Sequence, residues 1–322
     1  MSSLGTTPPL PRRAPRPALE HLLAIADLPI DEMRAYTALG LDLKREFRSG
    51  GNRPVLAGRV LALLFERPSL RTRVSFEVAM HQLGGKALYL APHEVELGKR
   101  ESVGDVARVT SRYVDAMVLR TGAHSRLLEF AAAATVPVIN GLSEAEHPCQ
   151  ALADILTMWE HRGALEGLRL AYIGDGNNVC ASLIMAAAKM GMHVTVGSPR
   201  TYAPSDEIIA AARRDATRCG RQVTLVHDPA EAVRGADVIY TDVWVSMGQE
   251  REATERRAAF AGFQVNRALV DLAGDAVVMH CLPAHRGEEI EAEVLDGPGS
   301  IVLDQAENRM HAQKAVLHRL LA

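Results

Sequence analysis

The chain has 322 residues, 48% hydrophobic and 23% charged, with a formal net charge of −3 at pH 7. That length allows two medium domains with a core each. The charge balance gives no general attraction to nucleic acid or an anionic membrane, and no apolar run approaches the roughly 20 residues of a membrane span.

The first 17 residues, MSSLGTTPPLPRRAPRP, are rich in Pro and Arg, lack acids and have no apolar h-region. A disordered leader is expected there rather than a secretory signal or transit helix. Helical territory follows over 18–48, broken at Leu28–Pro29. From residue 55 short apolar or β-branched runs alternate with helical stretches. Strands are predicted at 60–65, 87–90, 116–119 and 136–139, with helices near 69–83, 103–113 and 124–134 between them. A helix over 148–161, with LADILTMWEH spaced to bury one face, bridges to a second series. There the strands are 168–173, 193–196, 223–226, 238–241 and 277–280, and the helices lie near 179–190, 205–215, 229–234 and 265–273. A last helix, 305–321, is expected to return to the first half.

This pattern predicts an α/β protein of two doubly wound domains, each a parallel sheet flanked by helices. The boundaries expected are a leader over 1–17, a first domain over 18–147 joined by the helix 305–322, and a second over 148–304. Cys149, Cys180, Cys219 and Cys281 are widely spaced with no CxxC pair, which suits a reducing cytosol and a cytoplasmic location.

Ligands of doubly wound sheets collect at the carboxyl ends of strands. Six polar segments sit at such ends: SLRTR after VLALLF, Arg120-Thr121 after DAMVL, HPCQ after VPVINGLSEAE, GDGNN after LRLAYI, DVWVSMG after VIYT, and HCLPA after AVVM. In SLRTR, Ser69 is a good N-cap, yet the first helical turn holds Arg71 and Arg73 where acids are normally favoured. A bound dianion removes that repulsion, with helix N–H groups, the Ser69 and Thr72 hydroxyls and Arg71 forming a phosphate cradle. Arg73 is left for a structural ion pair, and Arg120 adds a second cation; the alternative is a solvated, Arg-rich turn.

GDGNN fails the dinucleotide fingerprint, because Val179 stands where the third glycine belongs. Asn177 and Asn178 remain as amides able to hold a carboxylate or an amine. His147 and Gln150 are placed to donate to a carbonyl oxygen and to bond an amide NH2, though a capping turn is the plainer reading. Asp242 offers a carboxylate to an ammonium group, or a helix cap, ahead of the Ser246–Gly248 loop. Strand alternation turns His280 away from Cys281, so Cys281 is read as a substrate contact able to relay a proton, or else as an inert thiol. Arg309 can add a third guanidinium or lie on the surface. The histidines show no HExxH or structural zinc spacing.

Together FERPSLRTRVSFE, HPCQALADILT, IGDGNNV, TDVWVSMGQE, HCLPAHRGEE and DQAENRMHAQKAVL, in this order over residue 20 to the end, resemble the aspartate/ornithine carbamoyltransferase family, ornithine carbamoyltransferases in particular. The resemblance implies transfer of a carbamoyl group from carbamoyl phosphate to L-ornithine, giving L-citrulline, with no metal or other cofactor, in a homotrimer or trimer-based assembly. It implies carbamoyl-phosphate contacts at Ser69, Leu70, Arg71, Thr72, Arg120, His147, Pro148, Cys149, Gln150, Cys281, Leu282 and Arg309. Arg71, Arg120, His147 and Cys281 are the catalytic set. Ornithine contacts carry over to Asn178, Asp242, Ser246 and Met247. Small-molecule substrates are the partners expected, with neither nucleic acid nor membrane; putrescine and N-acetylornithine are the competing acceptors. Leu70 replaces the first Thr of the usual S-T-R-T-R, and Glu96 stands where relatives often carry Gln; it is expected to turn away or to pair with a cation such as Lys99.

Overall fold

The structure, a computed structural model, describes residues 21–246 and 248–322. The leader, the first residues of the 18–48 territory and Met247 lie outside the described residues.

Two parallel sheets form, as expected. The first contains β1 (Val60–Phe65), β2 (Lys86–Leu90), β3 (Ala116–Arg120) and β4 (Val138–Leu142) in the order β2-β1-β3-β4. The second contains β5 (Arg169–Ile173), β6 (His193–Gly197), β7 (Val223–Val226), β8 (Val238–Thr241) and β9 (Val277–His280) in the order β7-β6-β5-β8-β9. Central strands of such sheets are covered on both faces, which is why VLALLF, buried from its second residue onward, is apolar throughout rather than alternating. Each sheet reverses its direction of winding once, between β1 and β3 and between β5 and β8. The crevice at such a point, beyond the carboxyl ends of the strands, is where doubly wound folds bind ligands.

Strand β4 begins two residues later than the apolar run suggests. Pro137 has no N–H for the ladder, and only its carbonyl takes part, accepting from Met117 N at 2.9 Å. Strand β3 runs one residue longer than expected, so Arg120 is its last member and not a loop residue.

The bridging helix, Pro148–Arg162, is not one-faced. Its residues from Pro148 to Met158 are all buried, because helices Ile30–Arg48, Asn178–Lys189 and Val302–Leu321 pack around it. The last helix starts at Val302, three residues early, and packs against Ile30–Arg48, Leu70–Gln82 and Pro148–Arg162. One apolar cluster therefore runs from Leu61 and Leu63 of β1, through Ile155 and Met158 of the bridging helix, to Tyr172 and Tyr240 of the second sheet. Among the described residues no helix is long and apolar enough to cross a membrane.

Candidate active site

The strand ends at the two reversal points open onto a single cleft of about 680 Å³. Its first wall begins at Ser69. The Ser69 hydroxyl accepts from Thr72 N (3.4 Å) and donates to Thr72 Oγ1 (3.0 Å), so the helix Leu70–Gln82 starts there with no acid in its first turn. Arg73 takes the structural role expected of it, pairing with Glu77 at 2.9 Å and lying 4.0 Å from the centre of the Tyr89 ring. Arg71 instead lines the cleft, half-buried, with no hydrogen bond or ion pair to any described residue. Leu70 lines the rim and is largely exposed.

Arg120 enters from the end of β3 and Arg309 from the last helix; both are buried. Arg309 is held from two sides, donating to Gln150 Oε1 and, at 3.0 Å, to Thr72 Oγ1. Burial, then the charges of Arg309, Arg71 and Arg67, push the Arg120 guanidinium down to about 10. Burial likewise lowers Arg309. Cations brought this close out of water repel one another until an anion joins them. Three buried polar atoms here, Arg120 Nε, Arg309 Nε and His147 Nδ1, have no hydrogen-bond partner, which marks the cleft as built for a polar guest. Glu66 braces this wall without entering the site: it accepts from Thr121 Oγ1, Gly122 N and Arg126 Nη1.

His147 lines the cleft at the head of the bridging helix, its backbone N–H donating to Ser182 Oγ at 2.8 Å. Burial, reinforced by Arg309 and Arg120, holds its imidazole well below the usual histidine range. It is neutral at pH 7 and available as a hydrogen-bond donor. Gln150, one turn on, also reaches the cleft. Pro148 and Cys149 do not. Pro148 opens the helix, and the Cys149 thiol turns inward to the Asn140 carbonyl (3.6 Å), where burial pushes it up to about 12.

The second wall comes from the other sheet. Asn177 caps the helix Asn178–Lys189 by accepting from Val179 N and Cys180 N, both at 3.0 Å, and its amide donates to Asp242 Oδ2 at 2.8 Å. Asn178 donates to Ser143 O at 2.6 Å. A Cβ at Gly176 would meet Pro204 N at 2.2 Å, so tight packing, without any dinucleotide, accounts for that glycine. Asp242 Oδ1 accepts from Val243 N (2.8 Å) and from the Cys281 thiol (3.0 Å). Burial, with the Asp242 charge beside it, pushes Cys281 well above the usual thiol range. A thiol so held is not a nucleophile. Ser246 and Leu282 complete the lining, Leu282 in the left-handed region at φ 58° with its N–H donating to His280 Nδ1 at 2.9 Å. Asp242, His280 and Cys281 bring a carboxylate, an imidazole and a thiol within 4.8 Å. Both carboxylate oxygens and both ring nitrogens are already engaged within the protein.

Sequence reasoning missed Arg256, which lines the second wall and pairs with Asp175 at 3.0 Å with both side chains buried. It lies in ATERRAA, with nothing nearby to mark it. Arg67 and His285 also line the cleft. Glu96 is exposed, left-handed at φ 42° and outside the cleft lining; its backbone carbonyl accepts from Lys99 N at 2.8 Å, but its carboxylate makes no ion pair with Lys99.

Comparison with known proteins bears on what such a cleft serves. Residues 20–160 match the carbamoyl-P binding domain of aspartate/ornithine carbamoyltransferase, and residues 166–320 match its Asp/Orn binding domain. The chain is similar to an ornithine carbamoyltransferase of Anoxybacillus flavithermus, 51% identical over 303 residues covering 94% of this chain and 96% of the relative. It is likewise similar to one from Archaeoglobus fulgidus, 53% identical over 304 residues covering 94% and 98%. Among solved structures, the ornithine carbamoyltransferase of Pyrococcus furiosus superposes with a TM-score of 0.92 at 50% identity, covering 94% of this chain and 97% of that one.

Proposed function

The chain belongs to the aspartate/ornithine carbamoyltransferase family, and we propose that it carries the carbamoyl group of carbamoyl phosphate to the δ-amine of L-ornithine, releasing L-citrulline and phosphate. The observation that carries this reading is the convergence of Arg71, Arg120 and Arg309 on one end of the cleft, with the Asp242 carboxylate on the opposite wall. A cationic end suits a phosphate dianion, and a carboxylate not spent on an arginine, as Asp175 is, suits the α-ammonium of an amino acid.

In the mechanism that follows, phosphate rests on Arg71, Arg120 and the helix start at Ser69, Leu70 and Thr72. Thr72, Arg120 and neutral His147 polarise the carbonyl oxygen, with Arg309 beside them. Gln150 and the Leu282 turn hold the carbamoyl nitrogen. Asn178, Asp242, Ser246 and Met247 hold ornithine so that its neutral δ-amine faces the carbonyl carbon. Attack forms the C–N bond, the tetrahedral intermediate expels phosphate as the C–O bond breaks, and the proton lost by the amine passes to the departing phosphate. Cys281 lies against the reacting amine as a protonated thiol, and catalysis comes from positioning and electrostatics.

We place the domain boundary at the start of the Pro148–Arg162 helix, with the last helix counted in the first domain. A homotrimer is also part of this reading. Leu70 and Val74, one turn apart on one helix, and Leu88 on β2 are exposed apolar surface that subunit contact would cover. Relatives from Pyrococcus furiosus and Campylobacter jejuni carry the word anabolic in their names, which supports a role in arginine biosynthesis; a cytoplasmic location is part of the same reading. A colorimetric citrulline assay with ornithine, putrescine and N-acetylornithine offered in parallel tests the reading. Product from ornithine alone is expected; no ureido product, or a preference for another amine, would overturn it.

A further inference from the structure

Asp154 lies one turn beyond Gln150 on the bridging helix, 0% exposed and not part of the cleft lining. Its carboxylate makes no ion pair among the described residues and is held by neutral donors from three elements. Gln150 Nε2 and Gln305 Nε2 both donate to Oδ1 at 2.8 Å, and the Tyr240 hydroxyl donates to Oδ2 at 3.0 Å. Burial pushes the group up to about 7, so the ionised form is disfavoured there. A carboxylate without a counter-ion is costly to bury, and here only the hydrogen bonds it accepts offset that cost. What those hydrogen bonds hold in place therefore decides what the acid does.

Through its partners it reaches the cleft. Gln150 gives its NH2 to Asp154 and takes the Arg309 guanidinium on its oxygen. Reversing that amide would set NH2 against guanidinium and oxygen against carboxylate, two repulsive contacts in place of two hydrogen bonds. Arg309 continues to Thr72 at the phosphate end. On the other side, Gln305 Oε1 accepts from His280 N at 2.9 Å, at the base of the turn that carries Cys281 and Leu282. Asp154 thus stands at the centre of a chain from Thr72 to His280 that crosses both domains.

We propose that Asp154 is a positioning residue of the reaction: it fixes the Gln150 amide with its carbonyl oxygen towards the substrate and registers that amide, through Gln305, against the Cys281–Leu282 turn. This rests on the reading above that Gln150 holds the carbamoyl nitrogen.

A kinetic double-mutant cycle on the full chain tests it, using Asp154→Asn, Gln150→Ala and the pair, with kcat and both KM values measured. Asp154→Asn keeps the shape but frees the amide orientation. It should lower kcat roughly 10- to 100-fold with the ornithine KM within about threefold, in a chain that still folds. In the Gln150→Ala background the same change should cost less than about twofold. A wild-type kcat for Asp154→Asn, or its full cost persisting without Gln150, would overturn the inference while leaving the Gln150 reading intact. If Gln150→Ala itself turns over normally, that reading falls and the inference with it. Should Asp154→Asn not fold, Tyr240→Phe replaces it in the cycle. A roughly threefold loss of kcat, absent in the Gln150→Ala background, supports the inference, and an unchanged kcat contradicts it.

Discussion

Arg71 and Arg73 occupy the same helical turn yet do different work, because their side chains leave the helix about 200° apart. Arg73 is spent on Glu77 and Tyr89; Arg71 contributes nothing visible to the fold. Arg71→Ala should therefore leave the unfolding free energy within about 0.5 kcal/mol of wild type. It should lower kcat at least about 100-fold, the scale for losing one charge-stabilising group. A near-normal kcat in steady-state assays would remove Arg71 from the phosphate. His147 gives a second prediction. With its imidazole neutral well below pH 6.5, it does not titrate in the working range, and the acid limb of kcat/KM belongs to the ornithine δ-amine, whose ordinary value is near that of lysine, about 10.4. The rate should climb from pH 6 to pH 9, and His147→Gln should lower the whole profile without moving that limb. A limb that shifts in the variant would mean that His147 carries the titrating proton.

At the scale of elements, Asn177 links a helix start to the chemistry. Its side-chain oxygen caps the Asn178–Lys189 helix while its amide steadies Asp242. Asn177→Ala should cost about 1 kcal/mol of stability, the usual worth of such a cap, and should raise the ornithine KM several-fold more than that of carbamoyl phosphate; equal changes in the two would separate Asp242 from ornithine. The strands were legible in the sequence because a buried parallel strand is an unbroken apolar run, and the polar segments beyond them marked the cleft. What escaped depended on distant partners. Arg256 matters because of Asp175, 81 positions earlier, and no local pattern records that pairing. Pro137 could have been read as delaying β4, since proline supplies no ladder donor. Asp154 left only a faint trace, an acid one turn beyond Gln150 on an otherwise apolar stretch. The bridging helix looked one-faced by spacing, but three helices pack around it.

Over the whole molecule, the two sheets share one core across the bridging helix, so the cleft walls are held by continuous packing. The buried Asp154 gives this core a pH dependence of definite sign. Its folded value, about 7, lies above the ordinary 3.8, so its contribution to stability is full below pH 3.8 and is lost as pH rises through 7. Asn at that position does not ionise. The melting temperature of Asp154→Asn should therefore gain on wild type as pH rises from 5 to 8, and a constant difference across that range would contradict the buried, destabilised carboxylate. The central claim is that guanidinium groups from separate strand ends meet on one dianion, facing an acid that holds the amino-acid end. A crystal structure with a bisubstrate mimic, a phosphonate joined to ornithine, tests it most directly. The account predicts the phosphonate within hydrogen-bond distance of Arg71, Arg120 and Thr72, with the α-ammonium on Asp242. A phosphonate bound elsewhere, with those guanidinium groups turned out to solvent, would contradict it.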